Sequence, residues 1–154
     1  MERIASFSID HDVLNKGMYV SRIDGDVVTY DIRMVRPNRG GYLENAASHT
    51  FEHLFATFVR NSEHSGSVIY VGPMGCRTGF YFLVRDALSN QRALDLFRET
   101  LDFIRGFDGP IPGARTSAEC GNYLEHDLPG AKAIADDMSG VLKDWAVRDM
   151  TYKN

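Results

Sequence analysis

Residues 48–60 read Ser-His-Thr-Phe-Glu-His-Leu-Phe-Ala-Thr-Phe-Val-Arg, and no other stretch limits the fold so strongly. Phe51, Leu54, Phe55, Phe58 and Val59 recur at the i, i+3, i+4, i+7, i+8 spacing of one helical face. At roughly 100° per residue, His49 and His53 fall nearly opposite the centre of that stripe, with Glu52 to one side between them. Such a helix buries one face against a core and turns two imidazoles and a carboxylate away from it. Histidines at i and i+4 stand about 6 Å apart, which is chelating geometry. The helix alone leaves two readings open, a metal site or a pair of ordinary surface histidines. The rest of the chain has to separate them.

The elements around this helix follow from periodicity. Residues 18–24 and 26–36 read as two strands around Asp24-Gly25, a hairpin signal. In the second, Val28, Tyr30, Ile32 and Met34 alternate with Thr29, Asp31 and Arg33, which predicts a sheet with one covered face. The run 36–41, Arg-Pro-Asn-Arg-Gly-Gly, ends the strand. Ser67–Val71 and Phe80–Val84 are short strands flanking Gly72-Pro73-Met74-Gly75, so Cys76 lies at the mouth of a tight connection. Ser89 caps a helix reaching about Arg105, with Leu94, Phe97, Leu101 and Ile104 on its apolar face and Gly106 as its stop. A Pro/Gly-rich loop covers 107–118, and loops of that length are often functional. A last helix over about 130–146 carries Ala131, Ile134, Ala135, Met138, Leu142 and Trp145 as a core stripe. Strands and amphipathic helices without regular βαβ alternation predict α+β, a mostly antiparallel sheet packed against helices.

A chain of 154 residues fits a single domain, 1–154, long enough to bury a core. With 44% hydrophobic and 25% charged residues it is expected to be globular rather than disordered. The net charge of −4, with no basic stripe, argues against nucleic acid as a partner. No apolar run approaches the roughly 18 residues of a membrane span, and the first ten residues lack the charged-then-apolar pattern of a secretory signal. The expected location is the cytoplasm, where Cys76 and Cys120 stay reduced.

Cys120, in Ala118-Glu119-Cys120-Gly121-Asn122-Tyr123, offers the third donor of a His2Cys set with His49 and His53. Three protein ligands leave one position for water or substrate, the arrangement of a catalytic centre. Zinc, ferrous iron and cobalt all suit these donors. The competing reading makes Cys120 an inert buried thiol. Cys76 is a second thiol, and a neighbouring cation would favour its thiolate and let it accept a proton. Arg77 is adjacent but on the alternate side of a strand; Arg33 is another source of charge. Glu52 is placed for acid/base work or for orienting a histidine. His64 is expected to be exposed, His126 to support the Cys120 segment rather than bind metal, and Glu119 to face solvent. A His-x-x-Glu-His helix also occurs in inverted zinc peptidases, the runner-up enzyme class, although the Cys120 segment fits that class poorly. A zinc-stabilised binding module would need a closed site and would leave Cys76 and Glu52 without a role.

Taken in order, these segments resemble the S-ribosylhomocysteine lyases, the LuxS family. The resemblance covers nearly the whole chain: Ser-Phe-Ser-Ile-Asp-His at 6–11, Tyr-Asp-Ile-Arg at 30–33, Arg-Pro-Asn at 36–38, Ser-His-Thr-Phe-Glu-His at 48–53, Gly-Pro-Met-Gly-Cys-Arg-Thr-Gly-Phe-Tyr at 72–81 and Glu-Cys-Gly-Asn-Tyr-Leu-Glu-His-Asp-Leu at 119–128. It implies that His49, His53 and Cys120 bind one divalent metal per subunit, ferrous iron natively, with zinc or cobalt as substitutes. It implies that Glu52 and Cys76 are the acid/base pair, that Arg33 stands near the catalytic cysteine, and that the protein is a homodimer. In that dimer Ser6 and His11 enter the substrate site from the partner chain. Tyr70 departs from relatives that carry an acidic, substrate-holding residue there. The implied reaction converts S-ribosylhomocysteine to homocysteine and 4,5-dihydroxy-2,3-pentanedione, the autoinducer-2 precursor. The sugar carbonyl migrates through enediolates until the C–S bond lies β to it and can be eliminated. Such chemistry needs a Lewis acid at oxygen and bases beside carbon.

Overall fold

The computed structural model describes residues 1–153, and they form an α+β fold. Four strands, β1 (Gly17–Asp24), β2 (Val27–Arg33), β3 (Val68–Pro73) and β4 (Gly79–Arg85), build one antiparallel sheet in the order β1-β2-β4-β3. Helices α1 (Asn45–Arg60), α2 (Asn90–Gly106) and α3 (Leu128–Val141) pack together, and α1 also rests on β3. Among the described residues no helix is long and apolar enough to cross a membrane.

The predicted stripe of α1 is its buried face. Phe51, Leu54, Phe55 and Val59 are fully buried. The Phe51 ring lies 5.2 Å from Phe80, and Phe55 lies 5.1 Å from both Phe82 and Phe97. Burial of each such side chain stabilises the fold by about 1.5–3 kcal/mol. Phe58 sits at the rim, stacked on Phe103 of α2. Anchored this way, α1 can only present His49, Glu52 and His53 away from the sheet.

Three expectations need correction. The second face of β2 is covered as well: Thr29, Asp31 and Arg33 are buried. Burial of the charges is tolerated because Asp31 accepts from Arg33 Nε at 3.1 Å, from Arg33 Nη2 at 2.7 Å and from the Tyr152 hydroxyl at 2.6 Å. The C-terminal segment lies over that face, with Tyr152 stacked on Tyr19 and Trp145 meeting Tyr19 edge-on. Second, β2 stops at Arg33 and β3 runs on to Pro73, so the β3–β4 connection is Met74–Thr78. Third, α3 begins at Leu128, because Asp127 caps the Gly130 N–H and Pro129 suits the first turn, and it ends at Val141. Arg98 of α2 takes up the Leu142 carbonyl at the C-cap, and Trp145 leaves the helix to donate its indole N–H to the Met18 carbonyl of β1. The cap at Ser89 and the end of α2 at Gly106 match their sequence signals.

Candidate active site

The long segment between α2 and α3 passes over the outward face of α1 and brings the donors together. His49 donates its Nδ1–H to the Glu125 carbonyl at 2.8 Å, and His53 donates its Nδ1–H to the Pro112 carbonyl at 2.7 Å. A carbonyl can only accept, so the Nδ1 proton is fixed in both rings and the Nε2 atom is the one left to act as a ligand. Carbonyl partners of this kind orient metal-ligating histidines. Cys120 Sγ stands 3.4 Å from His49 Nε2, close to the roughly 3.5 Å edge expected between two ligands of a tetrahedral ion. Donor atoms of His49, His53, Cys120 and His126 all lie within 4.8 Å of one another. This group could hold a metal ion, and its chemistry, two imidazoles and a thiol with both ring tautomers fixed for binding, fits a divalent transition metal.

His126 joins this cluster more intimately than its sequence position implies. Its ring stacks on His49 at 4.0 Å and 23°, its Nδ1 lies 2.9 Å from the Thr50 hydroxyl, and its buried Nε2 has no partner among the described residues. Burial, with His49 and His53 nearby, lowers its pKa below the ordinary histidine value. Glu119, expected to face solvent, is exposed and accepts the backbone N–H groups of Arg115 and Thr116, which shapes the loop before Cys120. His64, expected to be exposed, is instead partly covered, beside Glu63.

A cleft of about 440 Å³ separates α1 from the β3–β4 turn. Ser48, His49 and Glu52 line one wall, and Met74, Gly75 and Arg77 line the other. Cys76, in that turn, is exposed. Arg33 Nη1 approaches its sulfur at 3.9 Å and donates to Thr78 Oγ1 at 2.7 Å, while the Thr78 oxygen lies 3.1 Å from the same sulfur. With its lone pair engaged by Arg33, the Thr78 hydroxyl is free to donate to Cys76. Burial works against the Arg33 charge, but Asp31, Cys76 and Tyr152 outweigh it, and its pKa is held above the usual arginine value. Arg77 turns away, its Nε bonded to the Leu43 carbonyl and its guanidinium over Tyr42.

Within one chain, Ser6 and His11 are not joined to this cleft. His11 lines a separate cavity with Arg3, Asp10 and Asn38, and Ser6 lies in a short 3-10 turn at residues 5–7. Tyr70 is exposed on β3. Sequence reasoning missed Thr78 and Thr50. The i, i+2 spacing of Cys76 and Thr78 next to a strand could have flagged the first; nothing in the sequence marks the second.

Fold and site define a class: a small α+β protein whose His2Cys donor set joins two histidines of α1 to a cysteine of the α2–α3 segment, with a second thiol across a cleft. The profile of the S-ribosylhomocysteinase (LuxS) family matches residues 4–148, and the chain belongs to that family. It is 43% identical over 157 residues to the S-ribosylhomocysteine lyase of Clostridium acetobutylicum, covering 99% of each chain. It is 49% identical over 137 residues to that of Phocaeicola vulgatus, covering 86% of this chain and 84% of the relative. It is 48% identical over 141 residues to that of Porphyromonas gingivalis, covering 88% of each.

Proposed function

We propose that this member of the family is an S-ribosylhomocysteine lyase that acts as one catalytic domain, residues 1–154, in a cytoplasmic homodimer. The reading rests on one observation above all: donor atoms of His49, His53 and Cys120 lie within 4.8 Å of one another beside a cleft that also holds Glu52 and adjoins Cys76. His49, His53 and Cys120 would hold one divalent ion per subunit, ferrous iron, with zinc or cobalt as substitutes. Such an ion supplies positive charge that polarises a carbonyl oxygen without redox change.

The side chains do the remaining work. Cys76, as thiolate beside Arg33 and the Thr78 hydroxyl, removes a proton from a substrate carbon and returns it to the neighbouring carbon, so the carbonyl migrates. Glu52 moves protons between the substrate oxygens. When the C–S bond lies β to the carbonyl, the Glu52 carboxylate takes the intervening C–H proton; that electron pair forms the C=C bond, expels homocysteine thiolate, and leaves the enol of 4,5-dihydroxy-2,3-pentanedione. Arg33 holds the thiolate, and Ser6 and His11 reach the substrate from the partner chain, consistent with their separation from the cleft within one chain. The diketone product gives the enzyme its place in autoinducer-2 formation, and homocysteine returns to the methionine cycle.

Cobalt-loaded protein incubated with S-ribosylhomocysteine should release one free thiol per substrate consumed, read with a thiol reagent. Cys76→Ala should abolish release, and Glu52→Gln should slow it by about 10²–10⁴-fold. Undiminished release from Cys76→Ala would remove the thiolate from the mechanism; none from the folded, metal-loaded wild type would overturn the lyase reading.

A further inference from the structure

Resting on the lyase reading above, we propose that His126 is a hydrogen-bond donor to a reacting oxygen of the substrate and not a fourth metal ligand. The contrast with its neighbours carries this assignment. His49 and His53 each face a carbonyl through Nδ1, which keeps the proton there and leaves Nε2 free to bind. His126 faces the hydroxyl of Thr50 instead. Thr50 is fully buried, and its oxygen already accepts the Asp127 N–H at 2.9 Å. Its hydroxyl proton therefore needs an acceptor, and among the described residues His126 Nδ1 is the only one within reach.

If Nδ1 accepts, the imidazole proton sits on Nε2 and a single group, that N–H, stays unpaired. The opposite tautomer would strand both the Thr50 O–H and the Nε2 lone pair in a buried place, at greater cost. The first arrangement withholds the lone pair that a ligand needs. Ring geometry agrees: His126 stacks on His49 at 4.0 Å and 23°, and nitrogen lone pairs lie in their ring planes, so two stacked rings are poorly placed to share one ion. What remains is a buried N–H on a ring stacked against His49, with nothing to donate to among the described residues. Such a donor suits an oxygen acceptor, and in turnover that acceptor is the substrate oxygen on which negative charge develops. A donor fixed in advance at that position favours the charged state over the ground state.

The test compares wild type with His126→Gln, His126→Ala and Thr50→Val. Each apo-protein is titrated with Co²⁺, following thiolate-to-cobalt and d–d absorption, and each cobalt-loaded protein is assayed for homocysteine release. Every variant should bind one Co²⁺ per chain with affinity within about tenfold of wild type. In His126→Ala, kcat should fall about 100-fold with KM nearly unchanged. His126→Gln, which retains an N–H donor, should keep more of kcat than His126→Ala. Thr50→Val, which removes the hydroxyl that fixes the tautomer, should lose kcat with cobalt binding intact, and it decides the matter if His126→Ala does not fold. A larger loss of cobalt affinity would make His126 a ligand, and a kcat drop of less than about tenfold in His126→Ala would make it a bystander; either overturns the proposal. The lyase reading fails separately, through a wild type that takes up no cobalt or releases no thiol.

Discussion

Arg33 illustrates how one side chain serves stability and chemistry together. The residue is only 2% exposed, yet its guanidinium reaches Asp31, Thr78 and Cys76 at once. Removing it strands the Asp31 carboxylate, which is 1% exposed, so Arg33→Met should cost about 3–5 kcal/mol in a urea titration. The double variant Asp31→Leu/Arg33→Met removes both charges and should recover most of that loss, while the alkylation rate of Cys76 at pH 7 stays low in both. Equal destabilisation of the single and double variants would contradict the stranded-charge explanation. At the histidine–cysteine cluster the same logic applies to backbone partners, since the carbonyls of Pro112 and Glu125 decide which nitrogen of His53 and His49 is free.

At the scale of elements, the β3–β4 connection decides where Cys76 stands. Gly79 pairs with Arg33 across β2 and β4, and a Cβ there would collide with the Ile32 carbonyl. Only glycine lets β4 approach β2 closely enough to bring Thr78 and Cys76 onto the Arg33 guanidinium. Gly79→Ala should therefore cost about 1–3 kcal/mol, and it should lower turnover beyond what the stability loss explains by moving the turn. Measuring the melting temperature together with kcat separates the two effects; unchanged turnover in a folded variant would detach the turn from the chemistry. Gly130 plays the matching part on the other side of the site, where a Cβ would press on Asp127 and on Ala47 of α1, so α3 can start close beside the histidine helix.

Across the whole molecule, buried tyrosines set an alkaline limit. Burial pushes Tyr30 up to about 12, and it raises Tyr19, Tyr81 and Tyr152 as well, with Asp31 adding to those three. Unfolded tyrosines ionise near 10 while the folded chain keeps these protons, so above that pH the native state binds more protons. Their contribution is fully present below pH 10 and is lost as pH rises from 10 toward 12. The urea midpoint should fall between pH 9 and pH 11, and less steeply in Tyr30→Phe; a flat profile would contradict the burial argument. The proposed dimer makes a second prediction at this scale. If His11 serves the partner's site, His11→Ala and Cys76→Ala proteins, each inactive, should complement when mixed and exchanged, restoring about a quarter of wild-type turnover. No recovery despite demonstrated subunit exchange would place both residues in one chain's site.

Local pattern was enough to read the two-sided helix α1, the antiparallel hairpins, the Ser89 cap and the donor residues His49, His53 and Cys120, because periodicity, turn chemistry and ligand type are properties of neighbours along the chain. The covered second face of β2 was not legible, since alternation of Asp31 and Arg33 with apolar residues looks the same whether solvent or Tyr152 lies above them. The end of α3 was misread for a related reason: Leu142 and Trp145 continue the stripe, but Arg98 and β1 claim the backbone and side chain beyond Val141. The tautomers of three histidines depend on Pro112, Glu125 and Thr50, all of them far away in sequence from the rings they touch. The sequence by itself determined which groups are available and which faces they occupy. Only the tertiary structure decided their partners, because a hydrogen bond or an ion pair is fixed by a distance in space that spacing along the chain does not contain.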